Sequence, residues 1–203
     1  MKKFILLALA ILFLAPIVWA QEQVEAPVLN IGDWWKYKNK DGYTWTREVL
    51  EVEDKFYIIK FESNANLFGY DKNTLNEMFF IEPGVGGRRK KVTSTFRKLY
   101  NFPISVGKEW TDQTTAIPHS GYKKVTYKCE YKVEGIEEVS TSMGVFTTYR
   151  IHYKQTNMKS MRSGWINWWY SPKAKSIVKQ EVEKNKYWLY WLQDMELISY
   201  ELK

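Results

Sequence analysis

The sequence predicts an all-β protein, with antiparallel strands forming a curved sheet, a barrel or a two-layer sandwich behind an N-terminal signal helix. Three observations carry that expectation. Val125, Tyr127, Cys129, Tyr131 and Val133 alternate strictly with Thr126, Lys128, Glu130 and Lys132, the period of two of a strand with one dry face and one wet face. Asp41-Gly42 separates two strand-like runs, a short-range hairpin signal. After the first twenty residues there are few alanines, many β-branched and aromatic residues, and no sustained three-four apolar spacing, so helical signals are weak. Strands at short intervals, joined by tight turns, should then lie beside their sequence neighbours.

Met1 to Ala20 has the three parts of a secretory signal. Lys2 and Lys3 form the charged start, Phe4 to Leu14 the apolar middle, and Val18-Trp19-Ala20 the small-x-small end. The apolar run is short for a membrane anchor and Pro16 interrupts it. Cleavage after Ala20 is the expectation, leaving residues 21–203 as a single antiparallel β domain with no integral membrane segment. No cysteine follows the apolar run, so no lipid anchor is expected there. Removing Lys2 and Lys3 leaves 28 basic against 23 acidic residues, a net of +5. That modest, evenly spread charge suits solubility, and with export it argues against a nucleic-acid partner. The expected location is periplasmic or extracellular.

Along this domain, Val24 to Asn30 reads as an extended lead-in. Ile31 to Lys38 gives a turn and a strand, and Asp41-Gly42 turns it into Tyr43–Val52. A second turn at Glu53-Asp54-Lys55 leads to Phe56–Glu62. Asparagines and glycine punctuate the next stretch, leaving a short strand at Leu67–Tyr70. Met78–Ile81 is a brief apolar strand. Pro83 to Lys91 is a loop ending in four basic residues, and Val92–Tyr100 a further strand. Phe102 to Trp110 is a turn and strand entry. Val125–Val133 is followed by Val139–Ser142, a turn at Met143-Gly144, and Val145–Tyr153. Arg162–Tyr170 and Ser176–Glu183 flank the Ser171-Pro172 break. Lys184-Asn185-Lys186 closes another hairpin, and Tyr187–Leu202 is the longest final strand.

Cys129 is the lone cysteine, so the domain has no internal disulfide and its core must hold it. It could link a dimer, but its place on the apolar side of a strand predicts a buried thiol. One internal echo stands out. Ile31-Gly32-Asp33-Trp34-Trp35 and Val106-Gly107-Lys108-Glu109-Trp110 share an apolar-Gly-x-x-Trp pattern. It is either a half-domain repeat or a coincidence in a tryptophan-rich chain.

Both echo segments belong to a wider set of motifs. With Gly144-Val145-Phe146-Thr147-Thr148-Tyr149-Arg150-Ile151, and with Trp169-Tyr170-Ser171-Pro172 followed by Ile177-Val178-Lys179, they resemble exported bacterial proteins of the DUF3108-like type, a family of unknown function. The resemblance implies an antiparallel β-rich fold and an exported place, and supplies no catalytic residues. The family pattern often sets a glycine before the valine-lysine segment, where this chain has Lys173-Ala174-Lys175-Ser176.

Residue chemistry points away from catalysis. His119 and His152 have no histidine or cysteine partner at a metal-ligand spacing. No Gly-x-Ser-x-Gly elbow is present, and Gly84-Val85-Gly86-Gly87 lacks the lysine-hydroxyl ending of a phosphate loop. The expectation is a non-catalytic protein with no metal and no cofactor.

The aromatic residues carry the functional signal. Trp165, Trp168, Trp169 and Tyr170, with Tyr187, Trp188, Tyr190 and Trp191, exceed what a small core usually needs. Adjacent rings on a strand must point to opposite faces. The rings therefore either fill two packed layers or line a groove with Lys173 and Lys175 near its rim. A groove would take a lipid or another amphiphile. A flat outward face would take a glycan, and a purely structural role would tie the protein to a larger envelope assembly. An outer-membrane barrel fits less well, because charges fall on both faces of several strands.

Overall fold

A computed structural model describes residues 23–62, 66–83, 89–93, 98–116, 125–183 and 193–203. The expected signal helix at Met1–Ala20 and the turn at Lys184-Asn185-Lys186 fall outside these residues. The strands are β1 Trp34–Asn39, β2 Thr44–Val52, β3 Phe56–Phe61, β4 Leu67–Asp71, β5 Glu77–Pro83 and β6 Arg89–Thr93. They continue as β7 Glu109–Ala116, β8 Val125–Thr141, β9 Gly144–Asn157, β10 Ser163–Ser171, β11 Ser176–Val182 and β12 Met195–Glu201. All pair antiparallel in one open, curled sheet of order β6-β5-β4-β3-β2-β1-β12-β11-β10-β9-β8-β7. The all-β expectation holds, as a curved sheet. Each strand lies beside its sequence neighbour except β6 and β7, which form the two edges of the sheet, and β1 meets β12 where the two halves join.

Two expected strands differ. The run expected over Val92–Tyr100 starts three residues earlier, and Lys98–Tyr100 lies outside any strand. Asn76 explains the departure. Its side-chain amide donates to the Tyr100 carbonyl at 2.8 Å and its Oδ1 accepts from the Tyr100 amide at 3.0 Å. A side chain has thus taken the place of a ladder partner. The final strand, expected from Tyr187, has Met195 as its first described residue. Before it, Asp194 Oδ1 accepts from the Val182 amide and the Gln193 carbonyl accepts from Gln180. The longest described strand is instead β8, with 17 residues.

Long strands β8 and β9 leave the sheet together. β9 pairs with β10 only from Tyr149 onward, and β8 carries a bulge between Val133 and Gly135, which bends a strand and increases its twist. The hairpin tip crosses the outer face. Ser142 donates its amide to Glu196 on β12 at 2.6 Å, Phe146 lies 6.1 Å from Tyr200, and Lys173 sits 5.8 Å from the Phe146 ring. Part of the sheet therefore has a second layer made from its own strands.

The Gly-x-x-Trp echo marks a genuine structural repeat. Gly32 donates to Val49 O at 2.9 Å and Val49 donates back to Asp33 O at 2.9 Å; Gly107 donates to Val133 O at 2.8 Å and Val133 donates back to Lys108 O at 2.9 Å. Both glycines take left-handed φ angles, +86° and +82°, which a side chain would resist. Beyond each turn β2 and β8 carry the same bulge, between Val49 and Glu51 and between Val133 and Gly135. A second matched bulge leaves Met78 of β5 unpaired opposite Gly69 and Tyr70, and Val178 of β11 unpaired opposite Trp169 and Tyr170. The β4–β5 and β10–β11 turns place Leu75 and Lys175 at φ 51° and 52°. Strands β1–β6 and β7–β12 are thus two copies of one six-strand unit.

The core lies on the concave face. Trp35, Val49, Ile104, Val133, Tyr153 and Ile166 have no exposed surface, and burying each such side chain contributes about 1.5–3 kcal/mol. Cys129 is also fully buried, with Sγ 3.4 Å from the Tyr153 hydroxyl, as its place on the apolar face predicts.

Candidate binding site

A cavity of about 340 Å³ opens on the concave face where the two copies meet. One copy contributes Tyr37, Trp45, Ile59, Phe61 and Tyr70 from β1 to β4; the other contributes Trp168, Ile177 and Met195. Leu99 and Tyr100, from the chain after β6, form a further wall. The volume is at the small end of ligand pockets and suits about ten to fifteen non-hydrogen atoms. The lining is mainly apolar, with a few polar groups, as ligand sites usually are.

Period-two alternation along β2 points Trp45, Arg47 and Val49 to the same inner face. Arg47 is therefore a cation placed among rings. Its guanidinium carbon lies 4.7 Å from the Trp35 ring and 5.5 Å from the Tyr37 ring. It donates through Nη2 to Ser176 Oγ, which is 2.6 Å from the Tyr37 hydroxyl. Its Nε is closed off from solvent with no hydrogen-bond partner. Among the described residues no carboxylate pairs with Arg47. Burial pulls its pKa down, but the surrounding phenols of Tyr37, Tyr100 and Tyr70 push it up by more, so it ends above its ordinary value and stays charged. Stacking on Trp35 recovers part of what desolvation costs.

Two other charged side chains line the cavity. Lys175 donates to the Val28 carbonyl at 2.7 Å and lies 3.8 Å from the buried carboxylate of Asp33. Glu77 stands on another wall, opposite Tyr70 in the β4–β5 ladder. Burial pushes the Tyr70 hydroxyl well above its usual range, and the charge of Glu77 adds to that.

The expected site residues divide between two faces. Trp168 and Lys175 line the cavity. Trp168 donates from Nε1 to Gln180 Oε1 at 2.6 Å and packs 5.0 Å from Tyr153. Trp169 points the other way, beneath the β8–β9 hairpin. Its Nε1 donates to Glu137 and Lys179 stands 4.8 Å over its ring. Lys173 is on that outer side as well, against Phe146. Trp165 is half-buried there, 6.2 Å from His152. Tyr170 is fully buried between Tyr100 and Phe102 at 5.5 and 5.7 Å. Trp188 and Trp191 lie outside the described residues, as do His119 and the glycine-rich loop at 84–88. Adjacent Trp168 and Trp169 thus face opposite sides, Trp168 toward the cavity and Trp169 toward the layer formed by β8.

Sequence reasoning missed Arg47 and the aromatic wall at Tyr37, Trp45, Phe61 and Tyr70. The usable signal was the spacing Trp45-x-Arg47-x-Val49, an arginine in register with two apolar residues. Among the described residues, no three His, Cys, Asp or Glu side chains converge as a metal-binding group, and no helix is long and apolar enough to cross a membrane.

No family model matches this chain, and neither does any curated protein sequence. The motifs shared with DUF3108-like proteins thus remain a resemblance. Solved structures with similarity include the hypothetical lipoprotein YmcC from Escherichia coli, at 10% identity and a TM-score of 0.49, covering 89% of this chain and 90% of that one. A candidate lipoprotein from Parabacteroides distasonis gives 14% and 0.44, covering 89% and 100%. A candidate exported protein with a YmcC-like fold from Bacteroides fragilis gives 14% and 0.40, again covering 89% and 100%.

Proposed function

We propose that the protein is an exported, non-catalytic, envelope-associated binding protein whose cavity at the junction of the two copies takes the apolar chain of a small amphiphile. The observation that carries this reading is the cavity itself, about 340 Å³ between rings from both copies. A folded core is normally packed with few voids larger than a water molecule, so a space of this size with a mostly apolar lining calls for an occupant. The Met1–Ala20 signal pattern supports export. A glycan-binding face would need coplanar outward rings, whereas Tyr43 is the one exposed aromatic among the described residues.

Trp45 and Trp168 line the space, so intrinsic fluorescence reports on it. Delipidated protein titrated with decanol should show a saturable shift in tryptophan emission, and mass spectrometry of the native protein should find a co-purifying amphiphile. No shift with any of a panel of C8 to C16 alcohols and fatty acids would overturn the reading.

A further inference from the structure

We infer that the ligand of this cavity carries a single carboxylate, which pairs with the half-buried guanidinium of Arg47. The inference deepens the amphiphile reading and rests on it.

The duplication supplies an internal control. Trp35 in the first copy corresponds to Trp110 in the second. In the β1–β2 ladder Trp35 faces Arg47; in the β7–β8 ladder Trp110 faces Tyr131. Tyr131 lies flat on Trp110, centroids 4.9 Å apart and planes 5° apart. Arg47 occupies the equivalent place, 4.7 Å from the Trp35 ring. The fold therefore needs a flat group stacked on that tryptophan, and a neutral phenol meets the need. The charge of Arg47 is surplus to folding, in the copy whose rings wall the cavity.

The surroundings choose the ligand's chemistry. Arg47 has Ser176 and two rings as neighbours but no carboxylate among the described residues, so its countercharge must come from elsewhere. A planar guanidinium matches a carboxylate edge to edge. Lys175 is already held by Asp33 and Val28, leaving one cation to be neutralised. The remaining wall is aromatic and aliphatic, which suits an alkyl or ring body.

Binding of decanoate, decanol and decyl phosphate to the full mature chain tests this. Decanoate should bind about tenfold or more tighter than decanol at pH 7, since a desolvated charge pair forms only with the acid. That preference should vanish as pH falls through the carboxyl range, about pH 4 to 5. Arg47→Met should bind both within about threefold of each other. Arg47→Tyr, which copies Tyr131, should do the same while melting no lower than the parent, and so keeps the test valid should the methionine variant fold poorly. Equal binding of decanoate and decanol by the parent, a preference that survives in Arg47→Tyr, or tighter binding of decyl phosphate would each overturn the carboxylate inference and leave the amphiphile reading standing. Binding of none of the three would remove both.

Discussion

The backbone amide of Lys203 donates to Oδ1 of Asp33 at 2.7 Å, so the carboxylate that begins β1 holds the end of the chain. Asp33 is fully buried, and its Oδ2 accepts from the Asn30 amide at 2.9 Å while Asn30 Nδ2 donates to the Lys203 carbonyl. Asp33→Ala leaves the part-buried amides of Asn30 and Lys203 without their acceptor and removes the carboxylate 3.8 Å from the Lys175 ammonium. Stability should fall by roughly 2–4 kcal/mol, read from the midpoint of urea unfolding. A loss under about 1 kcal/mol would show that this tie does not hold the terminus.

Gly69 and Phe79 fit by contact. A methyl group on Gly69 would come within 2.2 Å of the Phe79 ring, which also packs at 5.1 Å on Phe56. Gly69→Ala should cost about 1–3 kcal/mol through this overpacking. In a Phe79→Ala background the same change should cost almost nothing, and a double-mutant cycle measures the difference. The second copy solves the position differently, with Trp169 under Lys179 in place of Gly69 under Phe79.

The two adjacent tryptophans should separate in fluorescence. Trp168 lines the cavity and Trp169 lies on the other face under the hairpin. Trp168→Phe should remove a substantial part of any emission change caused by decanol, with Trp45 supplying the remainder. Trp169→Phe should leave the change intact. The reverse pattern would place the occupant on the outer face.

Tyr70, Tyr100 and Tyr170 should resist ionisation. Burial is the leading cause in each, and it holds all three hydroxyls well above their ordinary pKa. A group whose folded pKa lies above its unfolded value stabilises fully below the unfolded pKa, here about 10, and that stability drains as pH climbs toward the folded value. Alkaline titration should therefore release these tyrosinates together with unfolding above about pH 10. Smooth ionisation of every tyrosine near 10, in protein that stays folded, would contradict their burial.

Much of the strand layout was legible because period-two alternation and turn residues are local. Val125 to Val133 announced β8, and Asp41-Gly42 announced the first hairpin. The echo around Gly32 and Gly107 was visible too, but three shared positions could not separate repeat from chance; the matched bulges at Val49 and Val133 did. The missing parts depend on distant neighbours. Nothing near Val139 indicates that the β8–β9 tip crosses over Trp169. Nothing near Asn76 indicates that it will take over the backbone of Tyr100. Arg47 reads as a solvated strand residue until Trp35 and Tyr37 are seen beside it.

The seam between β1 and β12 is where the two copies stand side by side, and the cavity straddles it, with Tyr37 and Arg47 on one bank and Trp168 and Ile177 on the other. An occupant would touch both banks at once. It would act as a strut across the join, so that filling the space and locking the halves together become the same event.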